Sequence, residues 1–365
     1  MEKKEILIIG AGISGLTLAI NLEKMGIPFR IIDKQSKWSI KGLAMTIQGE
    51  GLSAASSLGI LDEIKCKGTK RNLAKIYTKS GKVLKHFTPN SSDNSFIVQR
   101  DTLHEALRLK LSNVEMDLSV YIMNKQDNKI NVIFSNGSSD NFDLVVGAEG
   151  INSGTRDYIN SSATSPSKNL SVLYSESVFW GITLNKKYDE TIEFWDKNRM
   201  CAFYPIQNKT VVSFFIKAPE LFISTREERA SHIKKYFSTV SQPLIQEVLE
   251  NLPKNIFFDH IRYTRPEKWN NTGVTLIGDA CHSLSPLSGL GANLAMADAQ
   301  GLAEIIHTYG NKSNFQNILE SYNNIRKKEA DKAFYLSKLR TKRGMLNFPK
   351  TTLRNIYMKQ SGWVY

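Results

Sequence analysis

Three stretches of this chain repeat one pattern, in which a short apolar run gives way to small residues and an acid. Ile6 to Ile9 leads into Gly10, Gly12 and Gly15, then a helical stretch from Leu16 to Met25 stopped by Gly26, then a second run, Phe29 to Ile32, closed by Asp33. Apolar runs bounded by glycine predict buried strands, so residues 5–34 read as a complete βαβ unit. Leu144 to Val146 passes into Gly147, Ala148, Glu149 and Gly150, with Ser153 and Arg156 close behind. Val274 to Ile277 passes into Gly278 and Asp279, a loop rich in Ser, Pro and Gly, and an apolar helix predicted from about Gly291 to Tyr309. Each stretch places small residues and a carboxylate at the C-terminal end of a strand, where open α/β sheets bind ligands. From about Ser171 to Ile261 the pattern changes to strand-like alternation, as in SVFWGITL and MCAFYPIQNKTVVSFFIKAP.

The glycine spacing carries chemistry. Gly10 permits a tight turn, Gly12 lets the backbone approach a pyrophosphate, and Gly15 allows close helix–strand packing. Ile13 and Ser14 open the helix, whose free N–H groups and dipole suit phosphate. Asp33, 18 residues beyond Gly15 and followed by Lys34, can accept from ribose hydroxyls. This is an adenine dinucleotide site, and the turn alone does not choose between NAD and FAD.

Composition narrows the alternatives. The chain has 365 residues, 41% of them hydrophobic and 10% aromatic, enough for two domains or one elaborated domain. Cys66, Cys201 and Cys281 are odd in number and form no C-x-x-C pair, which predicts no disulfide framework, no metal site and a reducing, cytoplasmic setting. The glycines at 10, 12 and 15 interrupt the first apolar stretch, so it reads as fold rather than as a signal peptide. Nothing else approaches the roughly 18 apolar residues of a membrane helix. Of the net charge of +13, much lies after residue 310, where twelve basic residues from Lys312 to Lys359 face three acids. That predicts a solvated helical segment; a weak membrane-surface contact through Lys338, Arg340, Lys342 and Arg343 is the other reading. No aromatics interleave with the basic residues, and no nucleic-acid motif, P-loop, G-x-S-x-G or H-E-x-x-H occurs.

Taken together, the three stretches resemble the flavoprotein monooxygenases of the aromatic-hydroxylase type, the para-hydroxybenzoate hydroxylase-like group that includes the tetracycline-inactivating enzymes. The resemblance covers most of the chain. It implies a Rossmann-like α/β FAD-binding domain with an inserted, mainly β-sheet substrate domain and a C-terminal helical segment. The expected limits are 1–77, 95–170 and 262–310 for the FAD-binding domain, 78–94 and 171–261 for the substrate domain, and 311–365 for the helical segment. It implies that Asp279 binds the ribityl chain of a non-covalent FAD, and that the loop of Pro286, Gly289, Leu290 and Gly291 runs along the flavin ring. The helix starting near Ala292 and Asn293 points its N-terminus at the flavin, and Arg100, within FIVQRDTLHEAL, contacts the cofactor.

His282, within the same motif, reads as structural. Two residues depart from the family pattern: Asp33 stands where Glu is common, and Glu149 where Asp is usual; the family links the second motif to both FAD and nicotinamide handling, so the choice between NADH and NADPH stays open. The implied activity is oxygenation of an aromatic or polyketide-like small molecule by NAD(P)H and O₂ through a flavin C4a-hydroperoxide, with NAD(P)H docking transiently. Over the flavin the alternating sheet supplies Trp180, Phe194, Phe203 and Phe215 as candidate cavity aromatics, although such a cluster also builds an ordinary core. The rival functions are a flavin-dependent reductase or halogenase on the same scaffold, or a non-catalytic FAD-stabilised interaction protein. The halogenase motif W-x-W-x-I-P is absent.

Overall fold

The computed structural model describes residues 5–38, 43–71, 74–87, 94–161, 172–219, 221–309 and 315–346, with 350, 352, 353 and 355. Its centre is a six-stranded sheet in the order Asn270–Asn271, Val274–Leu276, Leu144–Gly147, Ile6–Ile9, Phe29–Asp33, Glu115–Met116. All its pairs are parallel except the first. Ile6–Ile9 and Leu144–Gly147 are buried at every position, which is why they read as unbroken apolar runs. The three stretches singled out by pattern therefore lie side by side, and the segments that follow them leave the same edge of the sheet. Helices Ile13–Lys24 and Gly291–Tyr309 pack against each other over this sheet, their apolar faces completing the larger core.

A second sheet has seven strands in the order Phe257–Thr264, Val172–Leu184, Lys209–Lys217, Arg199–Ile206, Thr191–Asp196, Ala74–Thr78, Val83–Phe87. Every neighbouring pair is antiparallel except Thr191–Asp196 with Ala74–Thr78. This mixed α/β architecture has the Rossmann-like and mainly β parts expected. The limits differ in two places: Ala74–Thr78 joins the second sheet rather than the cofactor side, and Phe257–Thr264 continues past residue 261 as one strand. The first difference arises from a parallel pairing between strands more than a hundred residues apart, which local pattern does not show.

One face of the second sheet is covered by helices Arg229–Phe237 and Pro243–Glu250. The other faces the first sheet, and part of it is covered by a 30-residue helix, Phe315–Gly344. The basic segment beyond, expected to be helical to residue 365, lies largely outside the described residues.

Candidate active site

A cavity of about 970 Å³ lies between the two sheets. The dinucleotide turn forms one end of it. Gly10 sits at φ +103°, and a Cβ there would lie 2.6 Å from the Ala148 carbonyl oxygen. One on Gly15 would lie 1.9 Å from the Gly10 carbonyl oxygen. Protein packing thus demands these two glycines. Gly12 differs: it lines the cavity, and no protein atom lies within 4 Å of a Cβ built on it. Packing does not demand a glycine at that point, and the open space beside it lets an occupant of the cavity approach the backbone. The helix that Gly12 opens has no side-chain cap and no acid in its first turn, so its N-terminus is free to meet an anion.

Asp33 is fixed at the same end. Its Oδ2 accepts from Ala11 N–H at 2.7 Å and its Oδ1 from Gln35 N–H at 2.9 Å, which leaves lone pairs for sugar hydroxyls. Lys34 and Arg100 line the cavity with it. On the opposite strand end, Asp279 is half-buried, faces the cavity and makes no side-chain hydrogen bond among the described residues. Pro286, Gly289, Gly291 and Ala292 continue this wall to the start of the helix Gly291–Tyr309, whose first turn also lacks an acid. A dinucleotide carrying a long polyol fits these residues: a phosphate cradle at one end, a free carboxylate midway, and a second bare helix start at the other.

Three of the expected cofactor residues do not line the cavity. Gly15 serves packing, and Leu290 lies off the wall. Asn293 is buried and tied up: its Nδ2 donates to the carbonyls of Thr46 and Gly289, and its Oδ1 accepts from Gln48 N–H. It anchors the neighbouring strand to the helix start.

The three turns are held together by buried side chains whose roles the sequence did not disclose. Arg156, fully buried, donates to the carbonyls of Ala280 and Ile151, joining the second turn to the third. Glu149 accepts from Ser153 Oγ and from both the amide and hydroxyl of Thr155. Its carboxylate therefore secures its own turn. Beneath Gly278 and Asp279, the buried Asp298 accepts from Gly278 N–H at 3.1 Å, from Arg326 Nε at 2.9 Å and from His282 Nε2. Burial opposes a charged imidazole, but Asp298 outweighs it and raises His282 well above its ordinary pKa. Asp298 is conversely held low: burial works against its charge, and His282 and Arg326 overcome that. Cys281, His282 and Asp298 are close enough to suggest metal ligands, but the guanidinium of Arg326 already occupies the carboxylate.

The second sheet forms the facing wall, and here the expected aromatics need correcting. Phe215 lines the cavity, stacked on Phe179 at 5.4 Å and 18°. Trp180, Phe194 and Phe203 do not: they point to the other face and pack with Ile233, Phe237 and Ile245 of the covering helices. Side chains alternate along a strand, so Phe179 and Trp180 necessarily part company. Tyr204 and Phe257 join Phe215 on the cavity side.

The C-terminal helix also departs from expectation. Arg340 is no surface charge. It is 7% exposed, lines the cavity, and donates from Nε to the Leu287 carbonyl at 2.5 Å and from Nη2 to Glu193 at 2.7 Å. Ser337 Oγ accepts from Ser285 N–H in the same loop at 3.0 Å. The helix thus clamps the loop Pro286–Ser288 from behind.

Known proteins share this fold. The profile of the FAD binding domain family matches residues 3–337. A flavin-dependent monooxygenase of Legionella longbeachae is 26% identical over 312 residues, covering 82% of this chain and 79% of that protein. A 2-heptyl-3-hydroxy-4(1H)-quinolone synthase of Pseudomonas aeruginosa is 27% identical over 317 residues, covering 82% and 80%. Among solved structures, HpxO of Klebsiella pneumoniae complexed with FAD and uric acid superposes with a TM-score of 0.87 at 19% identity, over 98% of this chain and 93% of that one. The tetracycline destructase Tet(51) gives 0.74 at 20% identity, over 98% and 96%. The chain belongs to the FAD binding domain family, as an FAD-dependent monooxygenase of the aromatic-hydroxylase type.

Proposed function

We propose that this monooxygenase oxygenates a planar, electron-rich ring, aromatic or polyketide-like, held between the flavin and the aromatic face of the second sheet. The observation that carries this is the stacked pair Phe179 and Phe215, placed across one cavity from Asp279 and the start of the Gly291 helix. FAD, when bound, supplies hydride acceptance from NAD(P)H and activation of O₂.

The chain's own residues bind, orient and exclude water. The Gly12 turn takes the pyrophosphate against a free helix N-terminus, and Asp33 takes the ribose. Asp279 accepts from hydroxyls of the linking chain, and the start of the Gly291 helix favours negative charge at the far end of the cofactor. Phe179, Phe215, Phe257 and Tyr204 make a dry wall that holds a flat ring and slows competing hydrolysis. Among the described residues there is one dinucleotide turn, which supports transient docking of NAD(P)H at the cavity mouth. No helix among them is long and apolar enough to cross a membrane, and the three cysteines are unpaired, in keeping with a cytoplasmic setting.

The test is a panel of phenolic and heteroaromatic rings, with NAD(P)H consumption and product mass followed together. A true substrate accelerates NAD(P)H oxidation and gains one oxygen atom. Turnover without O₂, with a product two hydrogens heavier, supports the reductase reading instead.

A further inference from the structure

Within the aromatic wall of the second sheet, Gly181 leaves a bare point, and a residue from the cofactor side of the molecule fills it. Gly181 pairs with Ser213 on one neighbouring strand and with Phe257 on the other, and Phe179 lies two residues before it on the same face. Ser213, Phe257 and Phe179 all line the cavity. Gly181 lies inside a strand and outside the left-handed region, so its backbone conformation does not call for glycine. A neighbour does. A Cβ built on Gly181 would lie 1.7 Å from Cδ1 of Leu43, 3.0 Å from its Cγ and 3.3 Å from its Cδ2, and no other atom is nearer than these three. The glycine is the seat of one side chain.

Leu43 is anchored elsewhere. It immediately precedes the strand Ala44–Gln48, which pairs with Ser95–Gln99, and its carbonyl accepts from Arg100 N–H at 3.1 Å. Its backbone is thus fixed to the wall that carries Arg100, while its side chain crosses to the second sheet, packs beside Val211 and lines the cavity. The methyl groups already rest on the bare backbone of Gly181, so they cannot retreat further into the sheet. A flat ring held against Phe179 and Phe215 meets them where the sheet reaches Gly181. Because Leu43 is fixed to the cofactor side, this end of the recess stands at a set distance from the cofactor.

We propose that Leu43, seated on Gly181, is the stop that sets substrate size in this site, limiting how many fused rings the recess against Phe179 and Phe215 accepts. The proposal rests on the cavity being the substrate site and adds what determines the extent of the ring system it takes.

The experiment uses the FAD-loaded protein and three probes that share one hydroxyl and differ in ring number: phenol, 2-naphthol and 2-anthrol. Dissociation constants are read from the change in flavin absorbance, without NAD(P)H. In the wild type, affinity rises with each ring until the stop is met and falls by about tenfold or more at the next, because the added ring has no room to bury its carbons. Leu43→Ala removes three carbons from the stop and moves that fall one ring later or abolishes it. Gly181→Ala drives the Leu43 methyl groups into the cavity and weakens the largest ring the wild type accepts by about tenfold. The double variant Gly181→Ala/Leu43→Ala removes the collision and regains that ring; it keeps the test decisive if Gly181→Ala does not fold. A wild type whose affinity climbs evenly over all three rings, or a fall that stays at the same ring in Leu43→Ala, overturns the proposal. If the wild type oxygenates rings while the fall stays in place, the stop alone is refuted and the monooxygenase reading stands. No flavin response to any of the three probes overturns the proposal together with the substrate-site reading beneath it.

Discussion

Gly12 and Gly15 stand three residues apart in one turn but answer to different constraints. A Cβ on Gly15 strikes backbone, whereas a Cβ on Gly12 meets only cavity. Gly15→Ala should therefore destabilise the fold by about 1–3 kcal/mol. Gly12→Val should leave the denaturation midpoint of the cofactor-free protein nearly unchanged and weaken FAD by about tenfold or more, as the new side chain fills the pyrophosphate's place. Titration of each apoprotein with FAD, beside a urea melt, separates the two. Full affinity in Gly12→Val would place the pyrophosphate elsewhere.

His282 offers a pH test. Its pKa is raised by Asp298 above an ordinary value near 6.5, so its contribution to stability is complete below that value and is lost as pH rises through the higher, folded-state pKa. His282→Gln should thus be less stable than the wild type at pH 6, with the difference shrinking as pH is raised into the alkaline range. A constant difference across that range would mean the imidazole is buried uncharged. The glycines were legible in the sequence because their spacing is local. Asp298, Arg156 and Arg340 were not, since each acts through partners that only the fold brings near.

The helix Phe315–Gly344 shows how charge can obscure a buried stripe. Ile318, Leu319, Tyr322, Arg326, Ala330, Ala333, Phe334, Ser337 and Thr341 recur at helical spacing and are buried, but three arginines and a high lysine content made the segment read as a solvated tail. The charge is in fact divided: Lys332, Lys338 and Lys342 are exposed, and Arg340 is not. Replacing the three lysines with Ser should leave FAD binding and stability unaltered, and should reduce binding to anionic vesicles in a salt-dependent way if that face meets membrane. Arg340→Met, by contrast, strands the Glu193 carboxylate and should cost about 3–5 kcal/mol. Equal stability of both variants in urea would contradict the clamp. The strand Lys209–Lys217 illustrates the opposite difficulty. All seven of its inner residues are buried, so alternation does not tell the cavity face from the face under the helices; buried runs in the strands beside it hide the same choice, and there Trp180, Phe194 and Phe203 fell on the helix side, while Phe215 on this strand faces the cavity.

At the scale of the whole molecule, function depends on two sheets meeting. The first supplies three turns at one edge, each recognisable alone; the second supplies a wall whose strands come from residues 74 to 264. The order of the turns was readable because each follows its own strand. Their convergence on one cavity, and the helix that locks the loop between them, required the long-range contacts of Arg156, Asp298 and Arg340. The central claim is that this shared cavity brings reduced cofactor, O₂ and a flat ring together away from water. Isotope labelling tests it most directly: with NAD(P)H, a ring substrate and ¹⁸O₂ in ordinary water, the product should carry one ¹⁸O atom, and with ¹⁶O₂ in H₂¹⁸O it should carry none. Label arriving from water, or a product formed without O₂, would contradict the account.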